Sequence, residues 1–279
     1  MDDEDAAVEE ARRRIRALWE EPAPPGRGRP ARVTRPQIVD AGVAIADAEG
    51  LDAVSMRSVA RRLGVGAMTL YSHVGSRREL LDAMVEQAYG DFTIPDPDLP
   101  WRAGLESYAR EVWRHRRRHA WLADINSWRL PLGPRVFDVQ EAGYRTLVDT
   151  GLSARQVAEV VGVVDNFVLG YARSVAAEEA EARDEGVDYE TYWRSTSDFW
   201  ENHFDPARYP SMTRLWSSGA FEEDPGPFDV PLAGLLDIIG LLIERAQADG
   251  SAAIPSYADC MARYDEDVAR QIEEFEGRA

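Results

Sequence analysis

The chain has 279 residues, 44% of them apolar and 29% charged, with a formal net charge of −18. Its single Cys excludes a disulfide framework and any all-cysteine metal site, no 18-residue apolar run predicts a membrane span, and the acidic opening "MDDEDAAVEE" is unlike a signal peptide, which makes the cytoplasm the default compartment. So acidic a chain argues, taken whole, against nucleic acid. The charge is uneven, however. Between Arg27 and Asp82 nine Arg stand against six Asp and Glu, so a mildly basic segment sits on a strongly acidic body.

Residues 5–20 read as a short helix with few apolar residues (Val8, Ile15, Leu18, Trp19), an appendage rather than core. "EPAPPGRGRPARV" follows as a linker, because Pro and Gly forbid regular structure, and it carries Arg27, Arg29 and Arg32. Thr34 reads as an N-cap with Pro36 in the first turn. Ile38, Val39, Gly42, Ile45 and Ala46 then stripe a helix that ends at Gly50. Ser55 caps a second helix, stopped by Gly64. After a tight turn comes a short helix over 67–73, and Ser76 with Glu79 reads as the capping box of a fourth helix running toward Tyr89. "FTIPDPDLP" breaks the chain there. Helices are predicted beyond it over 101–119, near 121–128, over 134–150, 153–185 and 189–199, and over 231–249. No useful period-2 alternation exists, so the fold is expected to be all-α. It divides into an extension with a basic arm (1–33), a small domain (34–90) and a larger one (98–276).

"SMRSVARRLGVGAMTLYSHV" has the form of two short helices joined by a tight turn, a helix-turn-helix. Leu70 and Val74, four apart, point inward. Ala67, Thr69, Ser72 and His73 leave a small, polar outer face of the kind a major groove admits. The same spacing arises by chance in all-helical chains, so two other classes stay open: a helical adaptor or signalling protein without DNA function, and an enzyme. An adaptor has no need of Thr69, Tyr71 and His73 together beside a basic patch. An enzyme needs a nucleophile with its base, a metal cluster or a phosphate loop. No G-x-S-x-G elbow occurs, and Cys260 stands far in sequence from any His. His115 and His119, four apart, have metal-like spacing. Set in "RHRRRH" with no third ligand evident, they read as an exposed basic face.

Residues 34–84 resemble the DNA-binding domain of the TetR family of bacterial repressors. The resemblance is closest to the tetracycline repressor branch, whose "LYxHVxxKxxLLDA" signature stands here as "LYSHVGSRRELLDA". A fainter resemblance to that branch's ligand and dimerisation domain runs through "HAWLADINSWRLPLGPRVFDVQEAGYRTLVDTGLSARQVAEVVGVVDNFVLGYA". The resemblance implies a three-helix DNA-binding domain joined by a connecting helix to a larger helical body. It also implies a homodimeric repressor, released from a pseudo-palindromic duplex operator by a small organic effector. In this family Arg57 would reach a base edge. Thr69, Tyr71, His73 and Arg77 would hold phosphates, and Ala67 and Ser72 would face the bases. Arg29 lies in a stretch resembling arms that enter an AT-rich minor groove. The branch's metal-ligating His falls on Asn126, its partner-chain acid on Ser174, and the Asn that grips the drug on Tyr108. All three departures weaken a hard-cation site, so neither tetracycline nor a metal or other cofactor is expected. The expected effector is hydrophobic or aromatic, held among Tyr108, Trp113, Trp128, Phe137, Tyr144 and Tyr171, with Asn126 and Asn166 orienting it. Ser153–Ala180 and Val230–Ala246 are the candidate dimer helices.

Overall fold

Capping chemistry sets the start of the chain's best-defined helices. The computed structural model describes residues 3–20, 32–125, 131–186, 189–220, 228–250 and 254–276. Thr34 Oγ1 accepts from Gln37 N while the Gln37 side chain accepts from Thr34 N, a reciprocal box that opens α2 (Arg35–Glu49). Ser55 and Ser58 do the same for α3 (Met56–Leu63). Gly64 ends α3 at φ +66, a left-handed conformation that suits glycine, and its N–H returns to the carbonyls of Ala60 and Arg61. The short α4 is Ala67–Tyr71 and α5 is Arg77–Tyr89. Ser76 Oγ caps α5 through Glu79 N at 3.1 Å. The predicted box is only half made, because Glu79 turns its carboxylate to Gly75 N instead.

The larger body holds α6 (Trp101–Arg118), a 3-10 segment Ala120–Asp124, α7 (Pro134–Arg145), α8 (Ala154–Glu185), α9 (Tyr189–Ser195), α10 (Ser197–Asn202), α11 (Pro210–Ser217), α12 (Asp229–Asp249), α13 (Tyr257–Met261) and α14 (Tyr264–Glu276). Ahead of all these lies α1, Asp3–Trp19. Among the described residues there is no strand, so the fold is all-α with the helix-turn-helix at its N-terminal end. By length and mean hydropathy alone α8 could cross a bilayer. Its buried Val157, Val160, Val161, Val164 and Val168 make it a core helix, packed on α6.

The small and large units share one interior. A single buried cluster runs from Val33 through Leu70, Leu80 and Met84 into Leu105, Tyr108, Val164 and Leu236. Several polar contacts cross the junction. The Glu86 carboxylate on α5 accepts from Arg135 N at 2.7 Å and from Val136 N, so one unit caps the first turn of α7 in the other. Gly133 is required there, since a Cβ would collide with that carboxylate. Asp47 on α2 accepts from Trp121 Nε1 at 2.7 Å and pairs with His119 Nδ1 at 2.8 Å. His115 Nε2 donates to Ala88 O at 2.9 Å.

Two expectations are corrected here. His115 and His119 are not part of an exposed basic face; both are buried. Helical spacing puts Tyr108, Val112, His115 and His119 on the inner side of α6 and its end, while Arg114, Arg117 and Arg118 take the exposed side. Nor is α1 an appendage. It packs on α5, with Arg14 forked onto Asp82 at 2.5 and 2.8 Å.

Candidate nucleic-acid interface and effector cavity

The recognition element is built from two anchors. Leu70 and Val74 are fully buried and fix the rotation of α4 about its axis. Val65 N–H bonds to Ala60 O at 3.0 Å and closes the turn between α3 and α4. With those positions fixed, Tyr71 and Ser72 are exposed, and Ala67, Thr69 and His73 half-buried. Arg57 is exposed on α3, as are Arg61 and Arg62 in its last turn. Arg77 is exposed at the first turn of α5, and its Nε donates to Val54 O at 3.1 Å, tying α5 to the start of the motif. Ser72 Oγ donates to Thr69 O, so reaching a base requires its hydroxyl to rotate. The structure thus brings together all the sequence-predicted interface residues except Arg29, which lies outside the described residues.

One residue was missed. Met68 on α4 is 80% exposed, a large apolar side chain on the outer face of the motif. Its place in "GAMTLY", two before the buried Leu70, was the available signal. A thioether there suits the methyl group of thymine better than a hydrogen-bonding base edge.

The predicted effector residues separate into several environments. Tyr108 on α6 is buried and donates its hydroxyl to the Asp165 carboxylate on α8 at 2.9 Å. Enclosure raises the Asp165 pKa to about 6, against the opposing pull of the Tyr108 hydrogen bond and the Arg116 charge. The Tyr108 phenol is pushed well up, first by burial and then by Asp165. Burial lowers His115 to about 4, so its ring is neutral at pH 7 and donates through Nε2. Trp113 stacks on Phe228 at 4.6 Å, and Tyr171 meets Phe228 and Phe167. Beside that stack opens a cavity of about 400 Å³, lined by Arg110, Trp113, Arg114, Arg117, Val175, Phe228 and Asp229. Its arginines already carry carboxylate partners: Arg110 with Glu106 and Asp229, Arg114 with Glu111, Arg117 with Glu179. The cavity therefore offers an aromatic floor rather than a bare cationic trap. Of the predicted residues that the structure describes, Trp113 alone lines it. Phe137 and Tyr144 are exposed on α7, and Asn166 is exposed on α8 with its amide on Gly162 O. Asn126 and Trp128 lie outside the described residues. Among the described residues no group of three His, Cys, Asp or Glu is placed to hold a metal ion.

The half-buried Asp165 gives a pH-dependent prediction. Its folded pKa lies above the unfolded value, so the folded state binds more protons between about pH 4 and 6 and loses stability as pH rises through that window. Asp165→Asn keeps an acceptor for Tyr108 and should stabilise the protein at pH 7 by about 1–3 kcal/mol. Thermal melts should show the gain vanish near pH 4. A variant less stable than the parent at pH 7 would mean the carboxylate charge is satisfied where it stands.

Comparison with known proteins agrees with this geometry. Residues 38–84 match the family described as bacterial regulatory proteins, tetR family, and residues 94–241 match the tetracyclin repressor-like C-terminal domain. The HTH-type transcriptional repressor DrrR1 of Streptomyces coeruleorubidus is 36% identical over 243 residues, 86% of this chain and 89% of that one. The class C tetracycline repressor protein of Escherichia coli is 27% identical over 75% of this chain and 90% of its own length. Among solved structures, ActR of Streptomyces coelicolor in complex with actinorhodin superposes with a TM-score of 0.61 at 28% identity, covering 77% of this chain and 98% of ActR. The helix-turn-helix and the helical body together make this chain a member of the tetR family of bacterial regulatory proteins.

Proposed function

We propose that the protein is a homodimeric transcriptional repressor that leaves its operator when the body binds an apolar or aromatic organic molecule. The observation that carries the DNA reading is the α3–α4 unit. Two buried apolar anchors hold a small, polar face outward within a stretch, Arg27 to Asp82, that carries a net positive balance on an otherwise acidic chain. The effector reading rests on the Trp113–Phe228 floor beside a cavity of about 400 Å³, a size that suits a small organic ligand. ActR, whose body is similar, has been solved with actinorhodin bound. The unit boundaries 34–90 and 98–276 follow the same division of labour. A metal has no part in the reading.

The test is binding to the DNA flanking the protein's own gene. Arg77→Ala should weaken binding to specific and scrambled duplexes alike and reduce the salt dependence, as loss of a phosphate contact does. Arg57→Ala should erode discrimination at one base position by about 1–3 kcal/mol. Variants that bind every duplex as the parent does would remove the helix-turn-helix from DNA. Titration of aromatic candidates into the preformed complex, with and without EDTA, tests release. Release that needs a chelatable metal would overturn the metal-free effector.

A further inference from the structure

Three arginines of α6 border the cavity beside the Trp113–Phe228 stack. Arg110, Arg114 and Arg117 are spaced four and three apart, with Trp113 between them. The lining holds these three cations against one anion, Asp229, in a chain of net charge −18. The three are not held alike. Arg114 Nη1 lies 2.6 Å from Glu111, which is buried and also accepts from Thr93 N at 3.0 Å, so this pair is fixed in place. Arg117 pairs with Glu179, and its Cζ sits 5.9 Å from the centroid of the Trp113 ring, a cation over an aromatic face. Arg110 holds Glu106 of its own helix at 2.9 Å and Asp229 at the start of α12.

The Arg110–Asp229 pair is the one suited to exchange. The Arg110 side chain is 43% exposed and that of Asp229 59%. An ion pair so placed adds little to stability, because water solvates each partner once it is released. Asp229 also demonstrates that a carboxylate fits on Arg110 beside the stack, whose rings lie 4.6 Å apart and 10° from parallel. A ligand with its carboxylate fixed to a flat ring system brings the same group with less rotamer freedom to lose, and it adds apolar area against Trp113 and Phe228. The planar guanidinium of Arg110 can meet such a carboxylate with two parallel N–H donors.

We propose that the cavity selects an aromatic carboxylate, whose anion replaces Asp229 on Arg110 and whose rings lie on Trp113 and Phe228. The proposal rests on the reading of this cavity as the effector site and fixes the charge of the ligand it takes. The exchange also alters packing. Arg102 with Asp237, at 2.6 Å, and Arg110 with Asp229 tie α6 to α12, and the ligand's anion cuts the second tie. The last turn of α6 and the residue that caps it carry His115 and His119, which hold the DNA-binding unit through Ala88 and Asp47.

The experiment measures, by calorimetry on the full chain, the affinities of anthracenecarboxylate and of its uncharged analogue anthracenecarboxamide. The carboxylate should bind about tenfold tighter, the margin by which a charge-assisted contact exceeds a neutral one. That margin should shrink as salt rises. Arg110→Gln should abolish the margin and leave carboxamide binding unchanged. Asp229→Asn removes the competing anion, so it should tighten the carboxylate several-fold without moving the carboxamide. Trp113→Ala should weaken both. Two probes that bind alike, with Arg110→Gln affecting neither, overturn the selectivity and leave the effector cavity standing. An Asp229→Asn protein that binds the carboxylate no better than the parent overturns the exchange. If neither probe binds, or Trp113→Ala leaves both affinities as they were, the cavity is not the effector site and the proposal falls with that reading.

Discussion

Ile238→Asp combined with Leu241→Asp should yield folded monomers and lower operator affinity by about 100-fold or more, since one helix-turn-helix then covers one half-site alone. On α12, Ile238 is 66% exposed and Leu241 56% exposed, and Val230 and, on α8, Val163 are exposed with them. Large apolar side chains repeated along one side of a long helix leave a patch that water disfavours. Gly162 and Gly170 of α8 and Gly234 of α12 have open space where a Cβ would stand, so a second backbone can approach closely. These features fit a four-helix seam of α8 and α12 from each subunit. An unpaired carboxylate in that seam pays desolvation with no partner. Ile239→Asp is the control: Ile239 is buried within its own subunit, so this charge should unfold the chain rather than separate it. Sedimentation distinguishes the outcomes. A double variant that stays dimeric and folded would place the interface elsewhere.

The difference between Ile238 and Ile239 shows where sequence reading stops. "LAGLLDIIGLLIERA" is apolar nearly all the way round, so periodicity marks the helix without saying which side meets α6 and which meets a partner. The start of the chain's small unit was far more legible. The N-caps Thr34 and Ser55 and the stop at Gly64 are short-range chemistry, complete within four residues, though the reciprocal box expected of Ser76 with Glu79 formed instead at Thr34 with Gln37 and Ser55 with Ser58. The inward turn of Leu70 and Val74 needed only helical spacing. His115 and His119 went the other way. Four arginines in "RHRRRH" suggest solvent, but the histidines sit on the opposite stripe, and their partners Ala88 and Asp47 lie 27 and 72 residues away. The predicted effector set scattered for a related reason. An aromatic count does not tell Phe137, which meets Trp19 of α1, from Trp113, which floors the cavity. Long-range partners decide such cases, and one sequence does not list them.

Asp47→Ala should have the largest effect of any single change at the junction between the two units. Asp47 lies on α2, the helix against which α3 packs. Its Oδ1 takes the Trp121 indole N–H at 2.7 Å and pairs with His119 Nδ1 at 2.8 Å, both from the segment that ends α6. Trp121 is 2% exposed and His119 is buried, so neither finds water when Asp47 goes. One buried unsatisfied donor costs about 1–3 kcal/mol, so the two together should cost about 2–5 kcal/mol. In a chain of this size each kcal/mol moves the melting midpoint by about 2–4 °C, so the fall should be about 5–15 °C. Trp121→Phe removes one donor, keeps most of the packing and leaves Asp47 its histidine, so its loss should be smaller. The double variant should be little worse than Asp47→Ala alone, because the two changes delete a shared bond. The functional consequence follows from position. The Asp47 contact joins the body to the helix that supports the recognition unit, so any shift of α6 on effector binding reaches α3 and α4 through it. Asp47→Ala should therefore bind DNA but respond less to effector, measured as a smaller ratio of operator affinities with and without ligand. An Asp47→Ala protein that melts with the parent and keeps its full effector response would show that Glu86 and the shared apolar interior carry the coupling instead.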